Sequence, residues 1–231
     1  SAGSVNTDAG FSIVSWTGNG SDATIAHGLS QAPTIYFVKN RADAADWRVG
    51  QVLGGNIMTG GNGYYMELND SKASTNPGSA VTWGSTPTAP TSSVFTVGSN
   101  NAHNGSSDAM IAYCFHSVKG YSKMGSYIGN GQDDPNGVFT YLGFTPAFIL
   151  IKATDINSWV MVDNKRPADS NPVDDSLAAD STAAETTGNA DTTFDFLSNG
   201  FRTNGNSGNN NSSGQEYIFM AFASSPFTTS T

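Results

Sequence analysis

Hydrophobic and polar positions alternate along this chain in short runs, and no segment sustains the 3.6-residue apolar period of an amphipathic helix. Phe11-Ser-Ile-Val-Ser-Trp16 alternates imperfectly and runs into Gly18-Asn-Gly20, a strand ending in a turn. After Ala32-Pro33, the stretch Thr34-Ile-Tyr-Phe-Val-Lys39 is almost wholly apolar, as expected of a strand covered on both faces. Further strands are predicted at Asp46-Trp-Arg-Val-Gly-Gln-Val-Leu53, at Tyr64-Tyr-Met-Glu-Leu68 after the glycine-rich Thr59-Gly-Gly-Asn-Gly63, at Ser93-Val-Phe-Thr-Val97 and at Ala109-Met-Ile-Ala-Tyr-Cys-Phe115. Residues 69–93 are non-periodic and hold Pro77, Pro87, Pro90 and Trp83. One Ala-rich piece, from Asp175 to Glu185, admits a helical turn.

The pattern then repeats. Gly120-Tyr-Ser-Lys-Met-Gly-Ser-Tyr-Ile-Gly-Asn-Gly131 restates the Gly-aromatic-Ser opening and the Gly-Asn-Gly close of residues 10–20. Val138-Phe-Thr-Tyr141 is a short strand, and Pro146-Ala-Phe-Ile-Leu-Ile-Lys152 mirrors the run ending in Lys39, 113 positions later. Trp159 follows Trp47 by 112 positions, and Phe222 follows Phe115 by 107. Each half closes with an Asn/Ser-rich loop and an aromatic strand. Such small drift in offset is what duplication with altered loop lengths leaves behind. The expected fold is therefore all-β: two tandem antiparallel β-sandwich repeats, jelly-roll or lectin-like, at residues 10–118 and 119–231, with residues 1–9 a small, polar leader or linker. The junction Val118-Lys119-Gly120 is too short for a flexible linker, so the repeats should pack together.

Composition narrows the setting. Aromatic residues make up 11% of the chain but charged ones only 13%, so Asn, Ser, Thr and Gly must supply the polar surface. The net charge of −9 leaves no basic stripe for nucleic acid and disfavours anionic membranes. No apolar run reaches the roughly 18 residues of a membrane span. The single cysteine, Cys114, lies in an apolar run and reads as a buried, inert thiol.

Candidate chemistry is sparse. His27, His103 and His116 fit neither a nucleophile elbow nor a zinc pattern, and no enzyme is expected. Asp133-Asp134 and Asp174-Asp175 are paired carboxylates, but neighbours on a strand point to opposite faces, whereas glycosidase acids face one another across a cleft. Asn130-Gly-Gln-Asp-Asp-Pro-Asn-Gly137 offers Asp133, Asp134 and Asn136 as oxygen ligands for calcium, the one cofactor considered; turns use the same residues without an ion. Trp47 and Trp159 match between halves, as do Trp16 and Tyr127, and read as packing. Trp83 has no counterpart, so it is the aromatic proposed to stack on a sugar, against the alternative of a plug at the sandwich edge. Asn101, Asn104, Asn209 and Asn210, in the two Asn-rich loops, are the amides proposed to meet sugar hydroxyls.

The opening run to Gly20, followed by His27-Gly-Leu, Ala32-Pro33, the strand ending in Lys39, Trp47, Ser92-Ser-Val-Phe-Thr-Val97 and Ile111-Ala-Tyr-Cys-Phe-His116, resembles a duplicated β-rich module of tailed bacteriophage tail-fibre and virion proteins, with Gly120 to Gly131 opening its second half. The resemblance runs from Gly10 to Phe227, and the chain departs from it between Gln51 and Gly63. It implies the virion surface, assembly in the host cytoplasm and release by lysis, and homo-oligomers that are often trimers. It carries no catalytic motif. The function expected on this basis is a receptor-binding module contacting host surface glycan. The alternatives are a capsid decoration or structural protein binding other virion proteins, and a polysaccharide depolymerase or glycosidase.

Overall fold

The computed structural model describes residues 2–53, 56–57, 63–76, 82–166, 171–190 and 192–226. Most of the glycine-rich turn expected at residues 59–63, and Pro77, lie outside them. The chain is all-β, with antiparallel sheets arranged as sandwiches, and it forms two compact units: residues 1–69 with 74–116, and residues 70–73 with 117–231.

In unit 1 the main sheet takes β1 (Ala2–Asn6), β2 (Phe11–Thr17), β4 (Ile35–Asn40), β5 (Arg48–Leu53), β6 (Asn56–Ile57), β7 (Met66–Glu67) and β9 (Ala109–Phe115). Their order is β1-β2-β9-β4-β5-β6, with β7 also on β5. A two-stranded sheet of β3 (Ala23–Ala26) and β8 (Val94–Val97) forms the second layer, and α1 is a single turn at Asn101–Asn104. The apolar run at β4 is buried almost throughout because it is a central strand, flanked by β9 and β5. Tyr36 reaches the second layer, its ring centroid 5.2 Å from that of Phe95. Cys114 is fully buried on β9, and burial lifts its thiol pKa to about 12, so the thiol is inert at neutral pH.

Unit 2 is built likewise from β10 (Ser122–Ile128), β12 (Pro146–Ala153), β13 (Val160–Asp163), β14 (Leu177–Ala178) and β17 (Glu216–Ala223), in the order β10-β17-β12-β13-β14. Its second layer is β11 (Phe139–Tyr141), β16 (Gly200–Thr203) and β15 (Phe194–Leu197), in the order β11-β16-β15. The layers share one core, in which Ile149, Ile151, Tyr217 and Phe219 of the main sheet meet Phe194, Phe196 and Phe201 of the smaller one. The path β10-β17-β12-β13 has the same strand order as β2-β9-β4-β5. In each unit a lysine of the second central strand folds back on main-chain oxygens: Lys39 Nζ donates to those of Asn40 and Asp43, and Lys152 Nζ to those of Ala153 and Asp155.

Three expectations need correction. Residues 2–6 are not a leader: they pair with β2 from Ala2↔Ser15 to Asn6↔Phe11. All five are exposed, so the strand is held by its backbone ladder and carries no apolar alternation to reveal it. The Ala-rich piece at 175–185 is not helical, because Leu177 and Ala178 pair with Met161 and Val160. Of the predicted strand at 64–68 only Met66–Glu67 is regular, with Tyr65 bridged to Thr75.

Candidate functional site

The two Gly-Asn-Gly turns are held the same way in both units. Asn104 accepts hydrogen bonds at Oδ1 from Trp16 Nε1 and the Asn19 N–H, and its Nδ2 donates to Asn19 Oδ1 and the Ser21 carbonyl. Asn211 accepts from the Asn130 N–H and donates to Asn130 Oδ1 and the Gln132 carbonyl. The backbones approach so closely that a Cβ on Gly18 would stand 2.1 Å from the Gly105 oxygen, and one on Gly129 2.3 Å from the Ser212 oxygen. Only glycine fits at either position.

Most of the residues singled out from the sequence are therefore structural. Asn104 is buried with its hydrogen-bonding capacity spent, so it is not a sugar contact. Asn210 is also fully buried, accepting from Ser207 Oγ and donating to the Thr193 carbonyl, so it too is withdrawn from ligands. Asn209 is half-buried and its N–H donates to Ser207 Oγ, while Asn101 is exposed with Nδ2 on Asp43. Trp83 is fully buried, its ring 4.9 Å from Tyr36 and 5.0 Å from His103, and its Nε1 donates to the Tyr64 carbonyl. It is the plug and cannot stack on a sugar.

The loop proposed for calcium is cross-linked by its own protein partners. Asp134 pairs with Arg202, Asp133 accepts from Asn206, and the main chain of Asn136 bonds to Asp133 and Asn130. The Arg202 guanidinium already pairs with one of the two carboxylates proposed as ligands. Among the described residues no group of three or more His, Cys, Asp or Glu could hold a metal ion. Asp175 accepts from the Gly188 N–H and the Asp174 carbonyl accepts from Asn189, so this pair organises a loop as well.

The histidines are similarly placed. His27 is buried, with Nε2 against the Thr91 carbonyl and Nδ1 accepting from the Leu29 N–H, which fixes the neutral tautomer. His103 is fully buried on α1 between Trp83 and Tyr65, and neither ring nitrogen has a hydrogen-bond partner. Burial lowers both pKa values, and for His103 the Arg48 guanidinium, itself paired with Glu67, adds to the effect. Above about pH 6.5 both imidazoles are neutral whether the chain is folded or not. Below it the unfolded chain takes up protons that the folded one resists, so stability falls as the pH drops, by at most about 1.4 kcal/mol per unit for a histidine that stays neutral in the fold, with His103 the larger contributor. Urea unfolding at pH 7.5 and 5.5 should show that loss. His103→Leu should flatten the profile by one histidine's share, and an unchanged slope would show that His103 titrates normally in the fold.

One face of unit 2 departs from this inward-turned chemistry. On β11, Thr140 is buried while Phe139 and Tyr141 are 47% and 59% exposed, on backbone positions about 7 Å apart along the strand. Across the ladder Phe139 lies opposite Arg202 and Tyr141 opposite Gly200, where a Cβ would stand 2.2 Å from the Thr140 oxygen and 3.1 Å from the Phe139 ring. Arg202 is tied down by Asp134 and Asp195. Lys123, from β10, donates to the Tyr141 carbonyl at 2.6 Å, with its ammonium 5.4 Å from the ring centroid.

Beside Tyr141 lies a hollow of about 270 Å³ lined by Gly120, Gly143, Thr145, Ser198, Ser224 and Ser225. The Tyr141 hydroxyl stands 3.3 Å from where a Cβ of Gly143 would be, which places the ring next to a residue of the hollow's lining. Gly143 and Gly120 have φ of 85° and 75°, a conformation that L side chains rarely adopt, and this keeps the hollow open. In the corresponding strand of unit 1, β3, the outward positions are Thr24 and Ala26. Thr24 borders a groove with Asp22, Ser85, Thr86 and Thr96, and neither position has a ring to offer. Sequence reasoning placed a strand at 138–141 but missed the platform, although the aromatic-Thr-aromatic spacing puts both rings on one face.

No curated protein and no solved structure matches the chain. Residues 1–226 match a Domain of unknown function, DUF7483, and the chain belongs to that family.

Proposed function

We propose that the chain is a non-enzymatic glycan-contacting module at a virion surface, and that its contact is the Phe139–Tyr141 platform. The observation that carries this reading is the pair of exposed rings near a hollow lined mostly by glycines and hydroxyl side chains. Exposed large aromatics are costly to leave in water, and two on one strand match the apolar faces of consecutive sugar rings. Thr145, Ser198 and Ser224 would then hydrogen-bond the sugar's rim. The hollow is smaller than the usual 300–1,000 Å³ of a drug-sized pocket, which suits one or two sugar units bound weakly. Display on an oligomer would convert such weak sites into avidity. The setting itself comes from the resemblance to tail-fibre and virion proteins.

A polysaccharide array probed with the intact chain, Phe139→Ala and Tyr141→Ala tests the contact. Each substitution should weaken binding roughly five- to thirtyfold, the cost of truncating an aromatic anchor. Unfolding stability should move by less than about 0.5 kcal/mol, since both side chains are exposed. Binding that survives the double substitution would sink the platform. Silence across all host polysaccharides would point to a protein partner on the virion.

A further inference from the structure

We infer that the platform selects acidic sugars, with Lys123 as the residue that reads the carboxylate; this rests on the glycan reading of the same face. Two cations bracket the rings. Arg202, beside Phe139, is neutralised by Asp134 and Asp195 and gives Nη1 to the Pro135 carbonyl. It is scaffold. Lys123, whose ammonium lies over the Tyr141 ring, is different. Its ammonium has one neutral acceptor, the Tyr141 carbonyl, and it forms no ion pair with any described carboxylate.

An ammonium carries three donors, so two remain for a ligand. The side chain is half-buried and its head is tethered at 2.6 Å, so less rotamer entropy is lost on binding than for a free lysine. A sugar stacked on Tyr141 would bring an equatorial substituent of its ring toward that head. A hexuronate carboxylate there makes a charge-assisted hydrogen bond, roughly twice as strong as the hydroxymethyl group of a neutral hexose can make. The chain's overall charge of −9 does not prevent this, because charges farther than about 8 Å are screened at physiological ionic strength.

The test measures binding of the full chain to alginate, polygalacturonate and hyaluronate, each beside its carboxyl-reduced form. The expected result is binding to at least one acidic polymer, roughly tenfold weaker to its reduced counterpart. Lys123→Gln should abolish that preference, Lys123→Arg should keep it, and both should melt within a few degrees of the parent. Tyr141→Ala should weaken binding to the acidic and reduced polymers alike. Equal affinity for both forms, with Tyr141→Ala still weakening each, overturns the acid preference and leaves the platform standing. Binding unmoved by Tyr141→Ala overturns the platform itself. Binding to none of the acidic polymers also overturns the inference.

Discussion

Trp83→Ala should cost unit 1 about 4 kcal/mol of stability and leave glycan binding by the folded protein unchanged. Replacing a fully buried Trp by Ala costs roughly 3–5 kcal/mol, the lost transfer free energy plus the cavity left behind. Here the ring packs edge-on against Tyr36 at 4.9 Å and against His103 at 5.0 Å. Removing it also strands the Tyr64 carbonyl, which accepts from Nε1 at 2.9 Å. The backbone of the same residue holds β8, since the Thr96 hydroxyl donates to the Trp83 oxygen at 2.8 Å. Urea unfolding followed by tryptophan and far-UV signals reads the loss. A shift below about 1 kcal/mol would mean that the ring is not a core plug, and lost sugar binding with intact stability would restore the stacking role.

This side chain also marks how far sequence reasoning reached. Long apolar runs such as those at β4, β9, β12 and β17 were legible because burial on a central strand leaves its pattern in consecutive residues. The burial of Trp83 does not, since its neighbours come from β4 and α1 and its own stretch is rich in Ser, Thr and Pro. Asn104 and Asn210 misled for a related reason. A polar amide in an Asn-rich loop looks solvent-facing, yet these replace missing backbone partners in the interior. The strand at residues 2–6 left no pattern, because an edge strand exposed on every residue needs only its ladder. Phe139 and Tyr141 are legible in spacing, but nothing in a three-residue aromatic-Thr-aromatic run says that its rings face water, and the unit 1 positions are Thr24 and Ala26.

Asn211→Ala and Asn104→Ala should each destabilise their own unit by about 3 kcal/mol, a larger effect than any surface asparagine could have. Both amides are buried, at 0% and 1% exposure, so the groups they leave cannot turn to water. Asn211 serves the Asn130 N–H, Asn130 Oδ1 and the Gln132 carbonyl at 2.8–3.0 Å. Each hydrogen bond contributes about 1 kcal/mol net, and a buried partner left unsatisfied costs 1–3 kcal/mol. Asn104 additionally holds Trp16 Nε1 at 3.2 Å, so its loss should also raise the solvent exposure of that indole. Asn→Asp distinguishes shape from chemistry: it keeps the Oδ1 acceptor but loses the Nδ2 donor, setting a carboxylate against the Ser21 or Gln132 carbonyl. It should therefore be at least as damaging as alanine. Separate denaturant transitions for the two units would show which one moves. If Asn211→Ala left the unit 2 midpoint within about 0.5 kcal/mol of the parent, the Gly-Asn-Gly turn would be held by its glycines and backbone bonds alone.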